Sequence, residues 1–520
     1  MQTAKTFQKK SRTENFTKNS IIGMVTQFLS IILSFVGRTV FIKMLSEDYL
    51  GVNGLFSNIL STLSFVELGF GTALLYMMYK PVADDDKERI KTLLKYYKKV
   101  YTIIGITMLV LGLLVIPFMD IIIKNPPHIK ENLNFIYILF LISTCIGYFY
   151  AYKTAIINAY QQNYIVSVYN QIFKWLQVIL QIIFLLITKN FIIYLLIQII
   201  CTLLNNILIS KKADKMFPFI KEKNVTPLSK EERGEINKKV KALIFYKLNP
   251  SIINGTSNII MSATIGITSV GIYSNYSLIT NYLNMFINQI TNALEPSVGN
   301  LNAKENESKK EEVFYKILFM CFFIFGITCV IVMSVINNFI SIWIGDNYLF
   351  GNIIVFAILL NMYVNGVNFA CYTFRTTSGL FEKAQLIPLY EVILNIILSY
   401  LFAKSVGIAG IFLGATLAKI LTFFWFDPIL LYKYLFKNKN TKKYFIKYFI
   451  YIFITIIVGL LMFKLSSLFI AKNYLTWMIK ALAITILTTL LFALLTFKTK
   501  EFKGLYRTFK NKFLRRKKNA

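Results

Sequence analysis

Eight charged side chains fall inside long apolar runs: Arg38, Glu67, Lys174, Lys247, Glu391, Lys419, Asp427 and Lys480. A charge within a membrane-spanning segment costs about 2.5–3.5 kcal/mol on insertion scales, so it faces the protein interior or a wet cavity. Depth separates the eight. Lys174 and Lys419 lie near the middle of their runs, too deep for easy snorkelling, and are expected to line a cavity. The plainer alternative for both is a structural pair with a buried acid. Arg38 sits a turn or more below the end of its run, and Lys247 about one turn inside another, so each fits either snorkelling or a cavity wall. Asp427 and Lys480 are close enough to an interface to snorkel. Arg38, Lys174, Lys247 and Lys419 therefore form a candidate cationic lining. Glu67 and Glu391 are candidates for Na+ or H+ coupling, and a structural salt bridge is the commoner fate of such acids.

Amides form a second group. One run carries Asn249, Pro250, Asn254, Gly255 and Asn258, where Pro250 removes a backbone hydrogen bond and predicts a bend. The next run carries Asn275, Asn281, Asn284, Asn288 and Asn292, the last four at three- or four-residue spacing on one helix face. Amide groups donate and accept, which suits sugar hydroxyls, so Asn254, Asn258, Asn281, Asn284 and Asn288 are candidate sugar contacts. Hydrogen bonding between neighbouring helices explains the same pattern equally well.

The usual catalytic signatures are missing. The sequence has no phosphate-binding GxxxxGK[ST], no HExxH and no nucleophile elbow. Its five cysteines all sit in apolar runs, and its single histidine, His128, lies in a short polar link, so neither a disulfide framework nor a metal site is expected. The Asp84–Asp86 run reads as a solvated helix start.

The elements that must hold these residues are membrane helices. Of 520 residues, 56% are hydrophobic and only 16% charged, yet the net charge is +32. Apolar blocks separate the basic residues, which argues against nucleic-acid binding. Fourteen runs are long enough to span: 20–43, 50–78, 100–118, 133–152, 164–187, 191–210, 243–265, 270–298, 314–338, 350–373, 385–403, 408–432, 445–464 and 476–497. With the N-terminus inside, roughly 45 basic residues fall in inside segments against about six outside. Both termini are then cytoplasmic. The first run is expected as a retained span, because no small-residue cleavage site follows it. The outside links are too short to fold into a catalytic domain.

The expected organisation is an all-α membrane protein with two pseudo-symmetric six-helix lobes and an extra helix pair. Its parts are a tail over 1–19, a first lobe over 20–210, a basic linker over 211–242, a second lobe over 243–432, the added pair over 445–497 and a basic tail over 498–520. Leu50–Phe65 lies without gaps on Val270–Met285, matching Gly51 with Gly271, Ser57 with Ser277, Ile59 with Ile279 and Leu63 with Leu283. In the tail, Phe502, Leu505, Tyr506, Phe509 and Phe513 recur at helical spacing among Lys and Arg, a pattern suited to anionic membrane lipids.

Two short stretches carry a family resemblance. Arg38-x-x-Phe41-x-x-x-Leu45 followed by Gly51-x-x-x-Leu55 resembles the junction of the first two spans in Wzx-type oligosaccharide flippases. Glu67-Leu68-Gly69-x-Gly71, then Tyr79-Lys80-Pro81, resembles the end of their second span. These proteins share the multidrug/oligosaccharidyl-lipid/polysaccharide exporter superfamily with lipid II flippases and multidrug extruders. The resemblance implies a non-enzymatic, rocking-bundle transporter of the bacterial plasma membrane. Its substrate would be a lipid-linked oligosaccharide repeat unit on a polyprenyl pyrophosphate, and its partners would include other polysaccharide-assembly proteins. A buried diphosphate needs cations to offset its desolvation, a role for Arg38, Lys174, Lys247 and Lys419. No cofactor is implied, and Na+ or H+ coupling stays open. The alternatives are a multidrug-type cation antiporter, which needs an acidic cavity, and a membrane polysaccharide polymerase or glycosyltransferase.

Overall fold

The computed structural model describes residues 12–67, 70–222, 225–234, 236, 255–292, 294–437 and 440–507. Among them the secondary structure is helical, with no strand. The longer helices are α1 (Arg12–Met44), α2 (Glu47–Leu63), α3 (Phe70–Ala83), α4 (Lys87–Val115), α5 (Leu133–Ala159), α6 (Asn163–Thr188), α7 (Phe191–Met216), α8 (Ile267–Asn292), α9 (Glu295–Lys304), α10 (Glu307–Ile344), α11 (Asn352–Thr377), α12 (Ile387–Val406), α13 (Ile408–Lys419), α14 (Trp425–Tyr434), α15 (Lys442–Ser467) and α16 (Tyr474–Thr496). Asparagine opens several of them. The side chains of Asn132, Asn190, Asn306 and Asn473 accept from backbone amides in the first turns of α5, α7, α10 and α16, satisfying donors that have no partner within the helix.

Eleven helical stretches among the described residues are long and apolar enough to cross a membrane. The chain is a multi-pass membrane protein. Three of the fourteen expected spans are outside that set, each for its own reason. The 50–78 span is broken: α2 ends at Leu63, a 3₁₀ turn covers Ser64–Glu67, and α3 starts at Phe70. Gly71, at the start of α3, lowers the helix propensity of this stretch. The 270–298 span forms α8, whose asparagines dilute its hydropathy. Most of the 243–265 span lies outside the described residues, which resume at Gly255.

Mutual packing divides the chain into two units. The first contains Met1–Ser46, Gly71–Val110 and Glu131–Arg233; the second contains Glu47–Phe70, Leu111–Lys130 and Gly234–Ala520. This grouping cuts across the expected 20–210 half, because α2 packs with α8. Within the first unit α1 and α6 run parallel: Trp175 Nε1 donates to Ser30 Oγ at 2.9 Å, Gln171 donates to the same oxygen, and Gly37 meets Val178 further along. The described part of the linker is docked here. Lys91 binds Glu88 and Glu222, each at 2.6 Å, and Arg89 binds Glu232 at 2.5 Å.

In the second unit α10 is central. It packs against α11, α15 and α16. Phe322 stacks on Tyr451 of α15 at 4.3 Å and on Phe492 of α16 at 5.4 Å, which fixes the added helix pair to this unit. α12 and α13 form a tight hairpin about Gly407, whose φ of 69° is left-handed. Gly410 and Gly414 let the two backbones touch, and Ser399 Oγ donates to the Ile411 carbonyl at 2.9 Å.

Candidate functional site

In the first unit two of the expected cations sit on packed neighbours, Arg38 on α1 and Lys174 on α6. Arg38 is half-buried and within electrostatic reach of the Tyr194 phenol. Beside it Phe41 packs edge-on against Phe191 and Tyr194, at 5.8 and 5.1 Å. Lys174 is exposed in the middle of α6 and is that helix's one charged residue. Register with the Gly37–Val178 contact places Arg38 about 7.5 Å, nearly one and a half turns, beyond Lys174 along the parallel helices.

The expected amide face is only partly open. Asn281 and Asn288 are exposed and Asn284 is half-buried. Asn258 is buried with its Oδ1 unpartnered, and Asn275 is fully buried with both amide atoms unpartnered, among the described residues. Glu67, half-buried, closes the 3₁₀ turn that interrupts the 50–78 span. Lys247, Asn254, Asn249 and Pro250 lie outside the described residues.

A buried cluster of two ion pairs lies in the second unit, among α11, α12 and the α13–α14 helix. Lys419 binds Glu391 at 3.1 Å, with the carboxylate nearly fully buried. Lys419 therefore sits in an ion pair, the alternative weighed above for a mid-span lysine, and Glu391 is its acid. Asp427 is not snorkelling: it is fully buried and binds Arg375 of α11 at 2.8 Å. Lys480 is buried too, and donates to Asn338 Oδ1 at 3.3 Å. Both depart from expectation because neighbouring helices cover positions that sequence depth alone places near water.

Phe423 joins the two ion pairs. Arg375 lies 4.5 Å and Lys419 4.8 Å from its ring centroid. Residues Ile420–Phe424 form a π-helical segment, which rotates the side chains after Lys419 relative to those before it. Polar capacity remains at this cluster: Asp427 Oδ2, Arg375 Nε, Asn368 Oδ1 and Asn395 Oδ1 have no hydrogen-bond partner among the described residues. The two acids and two bases balance in charge. Such a cluster can hold helices in register, or exchange partners if the helices move. Arg375, Asn368, Asn395 and Phe423 were not expected as site residues. Arg375 follows the end of the 350–373 run and so counts as a cytoplasmic loop charge until Asp427 is seen opposite it. Among the described residues, no group of three or more His, Cys, Asp or Glu is placed to hold a metal.

No family model matches the chain, and no curated protein matches it. Solved structures do. A lipid II flippase, MurJ, in an inward closed conformation has a TM-score of 0.66 at 14% identity, covering 91% of this chain and 98% of its own. An inward-facing multidrug resistance MATE family transporter of the MOP superfamily has a TM-score of 0.59 at 15% identity, covering 76% and 93%. A mutant of the MATE transporter VcmN from Vibrio cholerae has a TM-score of 0.51 at 12% identity, covering 79% and 94%. The chain has the fold of these transporters. At such identities the likeness speaks for architecture alone, and it agrees with the expectation of an all-α membrane protein.

Proposed function

We propose that this chain is a flippase that carries polyprenyl-pyrophosphate-linked oligosaccharide repeat units across the bacterial plasma membrane by alternating access of two lobes. The observation that carries this reading is the extent of the fold likeness. A structure named for flipping lipid II spans 91% of this chain, against 76% for a multidrug transporter. The local chemistry agrees. Arg38 and Lys174 are cations at span depth on adjacent helices, suited to a diphosphate that must leave water. Asn281, Asn284 and Asn288 offer donors and acceptors for sugar hydroxyls. In this reading both termini are cytoplasmic and the 1–19, 211–242 and 498–520 segments contact the anionic leaflet.

A cation extruder fits less well. Such a pump needs acids free to hold a cation, and both Glu391 and Asp427 are engaged by basic side chains. The test is to delete the gene and follow labelled lipid-linked oligosaccharide. Its accumulation on the cytoplasmic leaflet, reversed by the wild-type gene, is the expected result. Normal export combined with drug hypersensitivity overturns the proposal in favour of the extruder.

A further inference from the structure

Two helices on one flank of the second unit carry a lysine at the same end. Lys383 sits in the Leu380–Ala384 turn, four residues before α12 begins at Ile387. Lys433 lies in the last turn of α14. Their ammonium groups gather around one phenol: Lys383 Nζ is 3.5 Å and Lys433 Nζ 5.2 Å from the Tyr434 ring centroid. Both lysines are exposed, Tyr434 is 40% exposed, and neither lysine has a carboxylate partner among the described residues.

An open groove of about 540 Å³ lies next along the same helices, its lining residues Ile387 and Ile429 each four positions from Lys383 and Lys433. Ile387 and Leu394 of α12 form one wall; Leu421, Trp425 and Ile429 form the other. The polar side chain of Thr422 is turned inward, its hydroxyl donating to the Ala418 carbonyl at 2.8 Å. Trp425, Ile429 and Lys433 follow four-residue spacing and stack on one helix face, so the groove and the lysine share that face. From Ile387 to Leu394 the groove runs about 10 Å along the helix axis, at 1.5 Å per residue.

Two like charges without an acid repel each other, and an anion between them removes that repulsion. The apolar groove beside them is completed by a hydrocarbon chain. One molecule that meets both demands, at a membrane interface, is a phospholipid with an acidic headgroup. We propose that the groove binds an anionic phospholipid, its phosphate held by Lys383, Lys433 and the Tyr434 hydroxyl, and one acyl chain lying along Ile387, Leu394, Leu421 and Ile429. The same π-helical segment that walls the groove carries Phe423 against Arg375 and Lys419, so an occupied groove braces the segment holding the buried charges. Neither the site nor its test depends on which substrate the protein transports.

Native mass spectrometry of the full-length protein in detergent decides the matter, with phosphatidylglycerol, phosphatidylcholine and inorganic phosphate as probes. Phosphatidylglycerol is expected to be retained in preference to phosphatidylcholine. The double variant Lys383→Ala with Lys433→Ala is expected to lose that retention by about tenfold, and the Arg double variant to keep it. Leu394→Trp, which fills the groove and leaves both lysines, is expected to lose it as well. The lysine and groove variants are independent, so misfolding of one, seen by size-exclusion chromatography, leaves the other decisive. Equal retention of both lipids by the wild type, or unchanged retention in both sets of variants, overturns the proposal. Binding of inorganic phosphate that Leu394→Trp leaves untouched, without retention of phosphatidylglycerol, also overturns it by marking a phosphate site alone.

Discussion

Gly51 of α2 and Gly271 of α8 meet backbone to backbone. A Cβ added to Gly271 would lie 2.6 Å from the Glu47 carbonyl oxygen and 2.9 Å from the Gly51 nitrogen; one added to Gly51 would lie 2.2 Å from the Ile267 carbonyl oxygen. Asp48 secures the same end of the pair, accepting from Thr268 Oγ1 at 2.7 Å and from the His128 backbone amide at 2.8 Å. These glycines hold matching places in Leu50–Phe65 and Val270–Met285. The two segments aligned in sequence therefore also touch each other in space.

Even the smallest side chain is therefore too large at this contact. Gly271→Ala is expected to destabilise the purified protein by about 1–3 kcal/mol. Gly147→Ala, where a Cβ meets nothing within 4 Å, serves as the control. Thermal unfolding in detergent checks both, and equal midpoints for the two variants would contradict the close contact.

The Arg375–Asp427 pair predicts strong coupling. Asp427→Asn leaves a buried guanidinium uncompensated and is expected to cost about 3–5 kcal/mol. Arg375→Met combined with Asp427→Leu removes both charges and is expected to recover most of that loss. A double-mutant cycle on unfolding free energies measures the coupling; additive losses would mean that the pair is not a unit.

Lys419 and Glu391 separate stability from transport. Lys419→Ala removes the 3.1 Å ion pair to the buried Glu391 carboxylate and is expected to lower both. Adding Glu391→Gln is expected to restore the unfolding midpoint while transport stays low, if Lys419 also serves the substrate. Transport that returns together with stability assigns the pair a purely structural role.

The paired cations of the first unit give a direct test of the proposed substrate. Arg38→Ala and Lys174→Ala are each expected to reduce flipping of a pyrophosphate-linked oligosaccharide at least tenfold, the exposed Lys174 without a change in unfolding midpoint, whereas Arg38→Lys keeps part of it. Complementation of a deletion strain reads activity. Full complementation by both alanine variants would remove these residues from the substrate path.

Linker docking carries a pH dependence. The Arg89 guanidinium, and next the Ser229 backbone amide, hold the Glu232 carboxyl below its ordinary value of about 4.3. Glu232 thus binds its proton less readily when docked than when free. The contact contributes fully above the ordinary value and is lost as pH falls through the lowered, docked value. Protection of the 225–234 amides, taken relative to their intrinsic exchange rate at each pH, is expected to fall at acid pH, and Arg89→Ala is expected to lower it already at neutral pH. Protection insensitive to both would show that the linker is not held there.

Much of the architecture is legible in the amino-acid order. Membrane spans announce themselves by length and hydropathy, because each must satisfy its own backbone in lipid; α1, α4–α7, α10–α12, α15 and α16 each cover most of an expected run, and most extend beyond it. Where polarity interrupts that logic the reading weakens. Span 50–78 looked continuous, yet breaks near Glu67, since hydropathy does not register a local change of backbone dihedrals.

Charge at depth was also visible: Arg38, Lys174, Glu391 and Lys419 stand out as ionisable residues that lipid does not tolerate. Their partners were not. That Lys419 faces Glu391, that Arg375 reaches Asp427, and that Phe423 lies against both cations depend on how α11, α12 and the α13–α14 helix pack. Those residues are up to 52 positions apart in the chain. Composition and periodicity set the cost of burying each charge and so determined by themselves that this is a helical membrane protein with buried cations. Only tertiary packing decided which opposite charge offsets each cost, because that depends on distances between helices, which no run of neighbouring residues contains.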